Sequence, residues 1–250
     1  MLEFRHVTAG YGSRTVLRDV TFSIPSGSIA TLVGPNGCGK TTLLRAAAGQ
    51  LPLLEGEIFL NGTPLSGYSR SALARTAAFM PQLRSVPAIT VEALVAHGRF
   101  PYLGFSRRLR ADDREAVRQA MEATGVAAWA DRDLRQLSGG ERQRVYLAMA
   151  LAQDTRVIFL DEPTTYLDPG RQFELLELTA SLVRRGKTVV MVLHDLAHAL
   201  RYSTQLLLLE EGRLVASAPP AELYASGQLD RVFGIRVCKA EEGYYLAPRP

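Results

Sequence analysis

Residues 34–42 read Gly-Pro-Asn-Gly-Cys-Gly-Lys-Thr-Thr, a run in which glycines, a lysine and hydroxyls could gather around an anion. Gly34, Gly37 and Gly39 allow turns that other residues resist, so successive backbone N–H groups can converge on one phosphate, with Asn36, Cys38 and Thr42 completing the cradle. Lys40 would reach the β- and γ-phosphates of a nucleotide, and the Thr41 hydroxyl would ligate Mg²⁺. A second candidate is Asp161-Glu162, delivered by the apolar run Val157-Ile158-Phe159-Leu160. Asp161 suits an Mg²⁺ shell, and Glu162 could orient and deprotonate a water attacking a γ-phosphate. Taken alone, the two carboxylates fit a structural ion pair nearly as well. A third is Leu137-Ser138-Gly139-Gly140-Glu141 ahead of the helix-forming run Arg142 to Gln153. That is a possible second anion site at a helix N-terminus, or, since it has no lysine of its own, a helix cap.

These groups need elements to hold them. Ile29 to Val33 is a β-type run and Lys40 to Ala48 favours a helix, so the glycine-rich segment lies between strand and helix, and the helix dipole would add to its amides. Further upstream, Val20, Phe22 and Ile24 alternate with Thr21 and Ser23, as in a half-buried strand. Glu57 to Leu60 followed by Asn61-Gly62 predicts a strand entering a tight turn. Phe173 to Arg185 carries Leu175, Leu178 and Leu182 at helical spacing, stops at Gly186 and leads into Thr188-Val189-Val190. Between these lies a helical insertion over roughly residues 84–136, with Asp112 and Glu115 marking a helix start and Gly125 a stop. With no linker or repeat, residues 1–250 are expected to form a single domain. It would be a mainly parallel α/β core with an antiparallel N-terminal β-subdomain and a helical subdomain.

The bulk properties narrow the setting. A chain of 250 residues can bury a sizeable core, and 47% hydrophobic with 22% charged residues is ordinary for a soluble protein. No apolar run approaches the roughly 20 residues that span a bilayer, and the N-terminus lacks a signal-peptide core, so the chain is expected in the cytosol. Two cysteines are too few for a disulfide framework, and both are expected reduced. A net charge of +4 argues against extensive nucleic-acid binding but permits a basic face near anionic lipid. Arg107, Arg108 and Arg110 are the densest basic cluster, which also reads as a solvated loop.

The three motifs stand in the order found in the nucleotide-binding subunits of ATP-binding cassette (ABC) transporters, and the chain resembles that family over essentially its full length. The resemblance implies a P-loop NTPase core, ATP and Mg²⁺ as ligands, and roles for further residues. Tyr11 matches the aromatic that stacks on adenine, and His194 the histidine that contacts the γ-phosphate. Gln82 matches the glutamine joining the nucleotide site and its metal to the membrane partner, and Asp168 the aspartate of the loop between the two sites. It also implies that Ser138, Gly139 and Gly140 of one copy complete the site of a second copy, so that ATP holds a dimer together and hydrolysis releases it. Permease subunits would be the direct partners, an external substrate-binding protein an indirect one, and the chain would sit peripherally at the cytoplasmic face of the membrane. The segments Val91 to Tyr102 and Thr164 to Asp168 are similar to those of importers of iron chelates, haem or cobalamin. The alternatives are an importer of another metal substrate and a soluble cassette ATPase outside transport. His97, among apolar residues, reads as a packing or interface residue.

Overall fold

The computed structural model describes residues 1–81, 86–104, 108–241 and 243–249. Gln82 and Arg107, singled out above, lie outside the described residues. In chain order the elements are β1 Leu2–Tyr11, β2 Arg14–Ile24, β3 Ile29–Val33, α1 Lys40–Ala47, β4 Leu53–Leu60, β5 Thr63–Pro64, α2 Arg70–Ala74 and β6 Ala77–Met80. They continue with α3 Val91–His97, α4 Ala111–Ala123, α5 Gly139–Ala152, β7 Val157–Asp161, α6 Pro169–Arg184, β8 Thr188–Val192 and α7 Leu196–Tyr202. The last are β9 Gln205–Glu210, β10 Arg213–Ala218, α8 Pro220–Ala225, α9 Gln228–Phe233, β11 Ile235–Ala240 and β12 Gly243–Pro248. The chain divides into two compact units, Met1–Tyr68 with Thr179–Pro250, and Ser69–Leu178.

The first unit contains an antiparallel sheet in the order β2-β1-β4-β5. Its alternation follows the pattern read above: Val20, Phe22 and Ile24 are buried while Thr21 and Ser23 are exposed. Phe22 stacks on Phe4 across the β1–β2 pair, ring centroids 4.2 Å apart. Asn61 and Gly62 both have positive φ, 52° and 81°, as a two-residue hairpin matching the strand twist requires, and Leu60 pairs with Thr63. The unit also holds strands in the order β10-β9-β3-β8. All five residues of β3 and of β8 are buried, as expected of parallel strands covered on both faces. Leu32 is level with Val192, so the chain leaves β3 and β8 at the same edge. That edge is where α/β sheets place their ligands.

In the second unit β6 and β7 pair in parallel, Ala78 beside Ile158, and α3 and α4 pack against α5. Helix α4 starts differently from the expectation. The carboxylate that reaches back to the helix entrance is Asp113, accepting the Arg110 N–H at 3.0 Å, whereas Glu115 pairs with Arg118. Asp113 wins because it occupies the third helical position, from which a short side chain reaches the free N–H of the preceding residue. Gly125 does end the helix, at φ 65°. Helix α6 ends at Gly186, φ 84°, where the Lys187 N–H returns to the Leu182 carbonyl at 3.1 Å.

Candidate nucleotide site

The glycine-rich loop leaves β3 at Gly34, whose φ is 153°. A Cβ there would stand 2.2 Å from the Leu209 carbonyl oxygen, so only glycine lets the loop lie against the end of β9. At the other end Gly39, φ 107°, precedes α1, and a Cβ on it would be 2.8 Å from the Leu17 side chain of β2. The loop is therefore pressed between two strands. Gly212, in the β9–β10 turn, donates its N–H to the Cys38 carbonyl at 3.0 Å and accepts the Arg18 N–H at 2.9 Å. Gly212 thus joins the loop to β2, a support that its sequence position does not reveal.

Helix α1 begins with an open N-terminus. The Leu43 N–H bonds the Gly39 carbonyl at 2.9 Å, no side chain caps the helix, and its first turn contains no acidic residue. The N–H groups ahead of Leu43 and the positive end of the dipole are suited to receiving an anion. Lys40 is only 6% exposed, and its ammonium donates to the Gly34 and Pro35 carbonyls at 2.7 and 2.9 Å. A buried ammonium needs such partners, and these hold it over the loop that would carry phosphate. Burial pushes the Cys38 thiol up, against the opposing pull of the Lys40 charge. Cys38 and Cys238 are both free thiols.

His194 follows β8 and is exposed. The preceding Leu193 N–H reaches the Leu32 carbonyl at 3.4 Å, so His194 leaves the sheet beside the loop. Asp195 then caps α7 by accepting the His198 N–H at 2.9 Å. Tyr11 lies at the tip of the β1–β2 hairpin, opposite Arg14 and 45% exposed, on the strand pair whose Leu17 meets Gly39. One unit therefore brings Lys40, Thr41, Tyr11 and His194 to neighbouring elements.

The other unit carries the carboxylates and the second helix start. Asp161, the last residue of β7, is fully buried, and Glu162 has a left-handed φ of 54°. A non-glycine residue in that region costs on the order of 1–3 kcal/mol and persists where its surroundings hold it. Here Gln143 of α5, itself buried, donates to the Glu162 carbonyl at 3.1 Å, and Thr165 bonds both that carbonyl and the carboxylate, each at 3.3 Å. Gln143 escaped the sequence reading; the available signal was an amide next to the buried apolar run Val145 to Ala148.

Ser138 caps α5. Its hydroxyl accepts the Glu141 N–H at 3.3 Å, and the Glu141 carboxylate accepts the Ser138 N–H at 2.7 Å, a reciprocal capping box. The Ser138 N–H holds the Glu141 carboxyl below the usual carboxylate range, with Arg132 and Arg144 adding to the effect. The loop after β7 lies against this helix start: an added Cβ would be 3.1 Å from Leu167 at Gly140, a tight approach, and 3.4 Å from Tyr166 at Gly139, an ordinary contact. Asp168 starts α6 by accepting the Arg171 N–H at 3.1 Å. Ser138, Gly139, Gly140, Tyr166, Asp168 and Arg171 border a cavity of about 430 Å³.

A glycine-rich loop that opens onto an uncapped helix and holds a buried lysine is the phosphate receptor of nucleotide-binding proteins. The sequence profile of the family described as ABC transporter matches residues 17–165. The chain belongs to the ABC transporter family. Among curated proteins, this ABC cassette is 43% identical over 237 residues to the ferric enterobactin transport ATP-binding protein of Escherichia coli (strain K12), covering 94% of this chain and 88% of that one. It is 44% identical over 223 residues to the hemin import ATP-binding protein of Streptomyces coelicolor, covering 89% and 79%. Among solved structures, it aligns with a metal-chelate type ABC transporter in an inward-facing conformation at TM-score 0.82 and 26% identity, covering 98% of this chain and 95% of that one. A bacterial ABC transporter cassette solved as a dimer aligns at TM-score 0.79 and 27% identity, covering 88% and 99%. The cassette binds ATP and is an ATPase, with the α/β P-loop fold and antiparallel β-subdomain of the family. Among the described residues, no helix is long and apolar enough to cross a membrane.

Proposed function

We propose that this cassette is the ATP-hydrolysing subunit of an importer for an iron chelate such as a siderophore, for haem, or for cobalamin. The observation that carries the ATP half of this reading is the open N-terminus of α1 with Lys40 held above the loop. The iron half is supported by relatives named for ferric enterobactin and hemin, each above 40% identical over most of the chain.

In this reading the loop amides from Gly34 to Thr42 and Lys40 bind the phosphates, Tyr11 stacks on the adenine and His194 contacts the γ-phosphate. Thr41 and Asp161 offer a hydroxyl and a fully buried carboxylate, hard oxygen donors suited to Mg²⁺, with Gln82 as a further ligand. The metal would neutralise phosphate charge. Glu162 acts as the base that orients and deprotonates the attacking water, and its strained backbone keeps the carboxylate oriented. Ser138, Gly139, Gly140 and Asp168 serve the nucleotide of a second copy. The chain works as one ATPase domain at the cytoplasmic face of the membrane, bound to permease subunits that an external binding protein supplies.

Glu162→Gln tests the chemistry: turnover is expected to fall by about 10²- to 10⁴-fold while ATP binding persists and a dimer accumulates. Unchanged turnover in that variant refutes the role. For the cargo, the cassette reconstituted with its permease subunits and binding protein is offered ferric siderophore, haemin or cobalamin, and one of them is expected to stimulate ATP hydrolysis. Recovery of the cassette only with ribosomes or DNA, and never with a membrane complex, overturns the importer reading in favour of a cassette outside transport.

A further inference from the structure

The β1–β2 hairpin carries a cation that the roles assigned so far leave unused. Tyr11 stands directly opposite Arg14 across the turn of Gly12 and Ser13, and both are exposed. Arg14 has no ion-pair or side-chain hydrogen-bond partner among the described residues.

The register decides which way this pair faces. Ala9 pairs with Leu17 and Gly10 with Thr15, so Val16 is an extra residue, a bulge in β2. Both Val16 and Leu17 approach the glycine-rich loop: an added Cβ on Gly39 would be 3.4 Å from Val16 and 2.8 Å from Leu17. Strand side chains alternate between faces, so Tyr11 shares the face of Ala9 and its partner Leu17, and Arg14 shares that of Tyr11 and Val16. The hairpin thus turns Tyr11 and Arg14 toward the side on which the loop lies. Arg18, on the other face of β2, instead borders a cavity with Glu210, Glu211 and Arg213.

Position along the strand selects the group that Arg14 meets. Val16 lies at the loop next to Lys40, and Arg14 is two residues, about 6.6 Å, nearer the hairpin tip. A nucleotide with its base on Tyr11 and its β- and γ-phosphates at Lys40 spans the same interval. Ribose and α-phosphate lie between, and of these only the phosphate is charged. The Lys40 ammonium is tied to the Gly34 and Pro35 carbonyls, so the α-phosphate is left to neutral backbone donors. A guanidinium offers paired N–H groups that match phosphate oxygens, on a stem long enough to reach along the strand.

We infer that Arg14 binds the α-phosphate of the nucleotide seated on Tyr11, as a second cation beside Lys40. The α-phosphate survives hydrolysis, so this contact holds ATP and ADP alike. The role rests on the proposed stacking of adenine on Tyr11.

The test titrates four variants of the full chain, Arg14→Gln, Arg14→Lys, Arg18→Gln and Tyr11→Ala, with ATP, ADP and GTP in the presence of Mg²⁺. In Arg14→Gln all three dissociation constants are expected to rise by a common factor of about 5 to 20, less at high salt. Arg14→Lys should recover part of the loss, because an ammonium keeps the charge without the paired donors. Arg18→Gln removes an equal charge from the opposite face and should bind like the wild type. Undiminished affinity in Arg14→Gln overturns the inference. So does a loss confined to ATP, which moves the contact to the γ-phosphate, or a changed ratio of ATP to GTP affinity, which moves it to the base. An equal loss in Arg18→Gln leaves only a diffuse field and overturns it as well. Melting without nucleotide should be unaltered in Arg14→Gln; a fall large enough to account for the weaker binding shows a merely structural residue and also overturns the contact. Tyr11→Ala binding ATP as tightly as the wild type sinks the stacking instead, and the Arg14 titrations still decide the α-phosphate contact.

Discussion

Helices α1 and α5 both start among glycines, and they are built in opposite ways. Helix α1 follows Gly39 in a left-handed conformation, without a capping side chain and without an acid in its first turn. Helix α5 follows Ser138 and satisfies its own first N–H groups through the reciprocal bonds with Glu141. The first start has no side-chain cap and adds a buried lysine, whereas the second uses its side chains internally and adds a negative charge close to the dipole. Glycine at a helix start is therefore insufficient to make a phosphate site; the cap and the side chains of the first turn decide it. In the proposed reading the capped start completes a site on a second copy, where the Ser138 hydroxyl proton and the glycine backbone approach a nucleotide already held elsewhere.

That contrast can be broken in order of effect. Lys40→Ala removes the ammonium held over the loop at this helix start, and turnover is expected to fall by about 10²- to 10³-fold with ATP affinity measurably weakened; retained activity would show that the amides alone suffice. Gly34→Ala forces a side chain into a positive-φ position facing the Leu209 carbonyl, and chemical denaturation should report a loss of about 1–3 kcal/mol, accompanied by loss of nucleotide binding. Ser138→Ala leaves the loop intact, so ATP binding to the monomer should persist while stability drops by about 1 kcal/mol from the lost cap and ATP-driven dimer formation weakens.

The smallest effect is a pH dependence. The folded state holds the Glu141 carboxyl below its unfolded value, chiefly through the Ser138 N–H. Its contribution is complete above the unfolded pKa of about 4.3 and disappears as pH falls through the lower folded value. Wild-type stability should decline over that acidic window more than that of Glu141→Gln; parallel declines would remove the charge from the cap.

Legibility in the sequence followed locality. The strand–loop–helix unit around Lys40 could be read because every part is contiguous, and β3 and α1 lie where composition puts them. The alternation of β2 and the Asn61-Gly62 turn were readable for the same reason. The start of α4 was misread between Asp112, Asp113 and Glu115, because three acids within one turn offer equivalent patterns and only backbone geometry selects the one that reaches Arg110.

The candidate residues for phosphate and water, and their order along the chain, were nominated by sequence alone, since each motif is a short contiguous run: two carry their own glycines and the third is an apolar strand ending in two acids. Tertiary structure decided what holds them. Gly212 seats a loop that closes more than 170 positions earlier, at Cys38. Gln143 grips Glu162 across 19 residues. Such contacts leave no periodic trace, because a buried donor is chosen by the acceptor that folding brings to it and not by its neighbours in the chain.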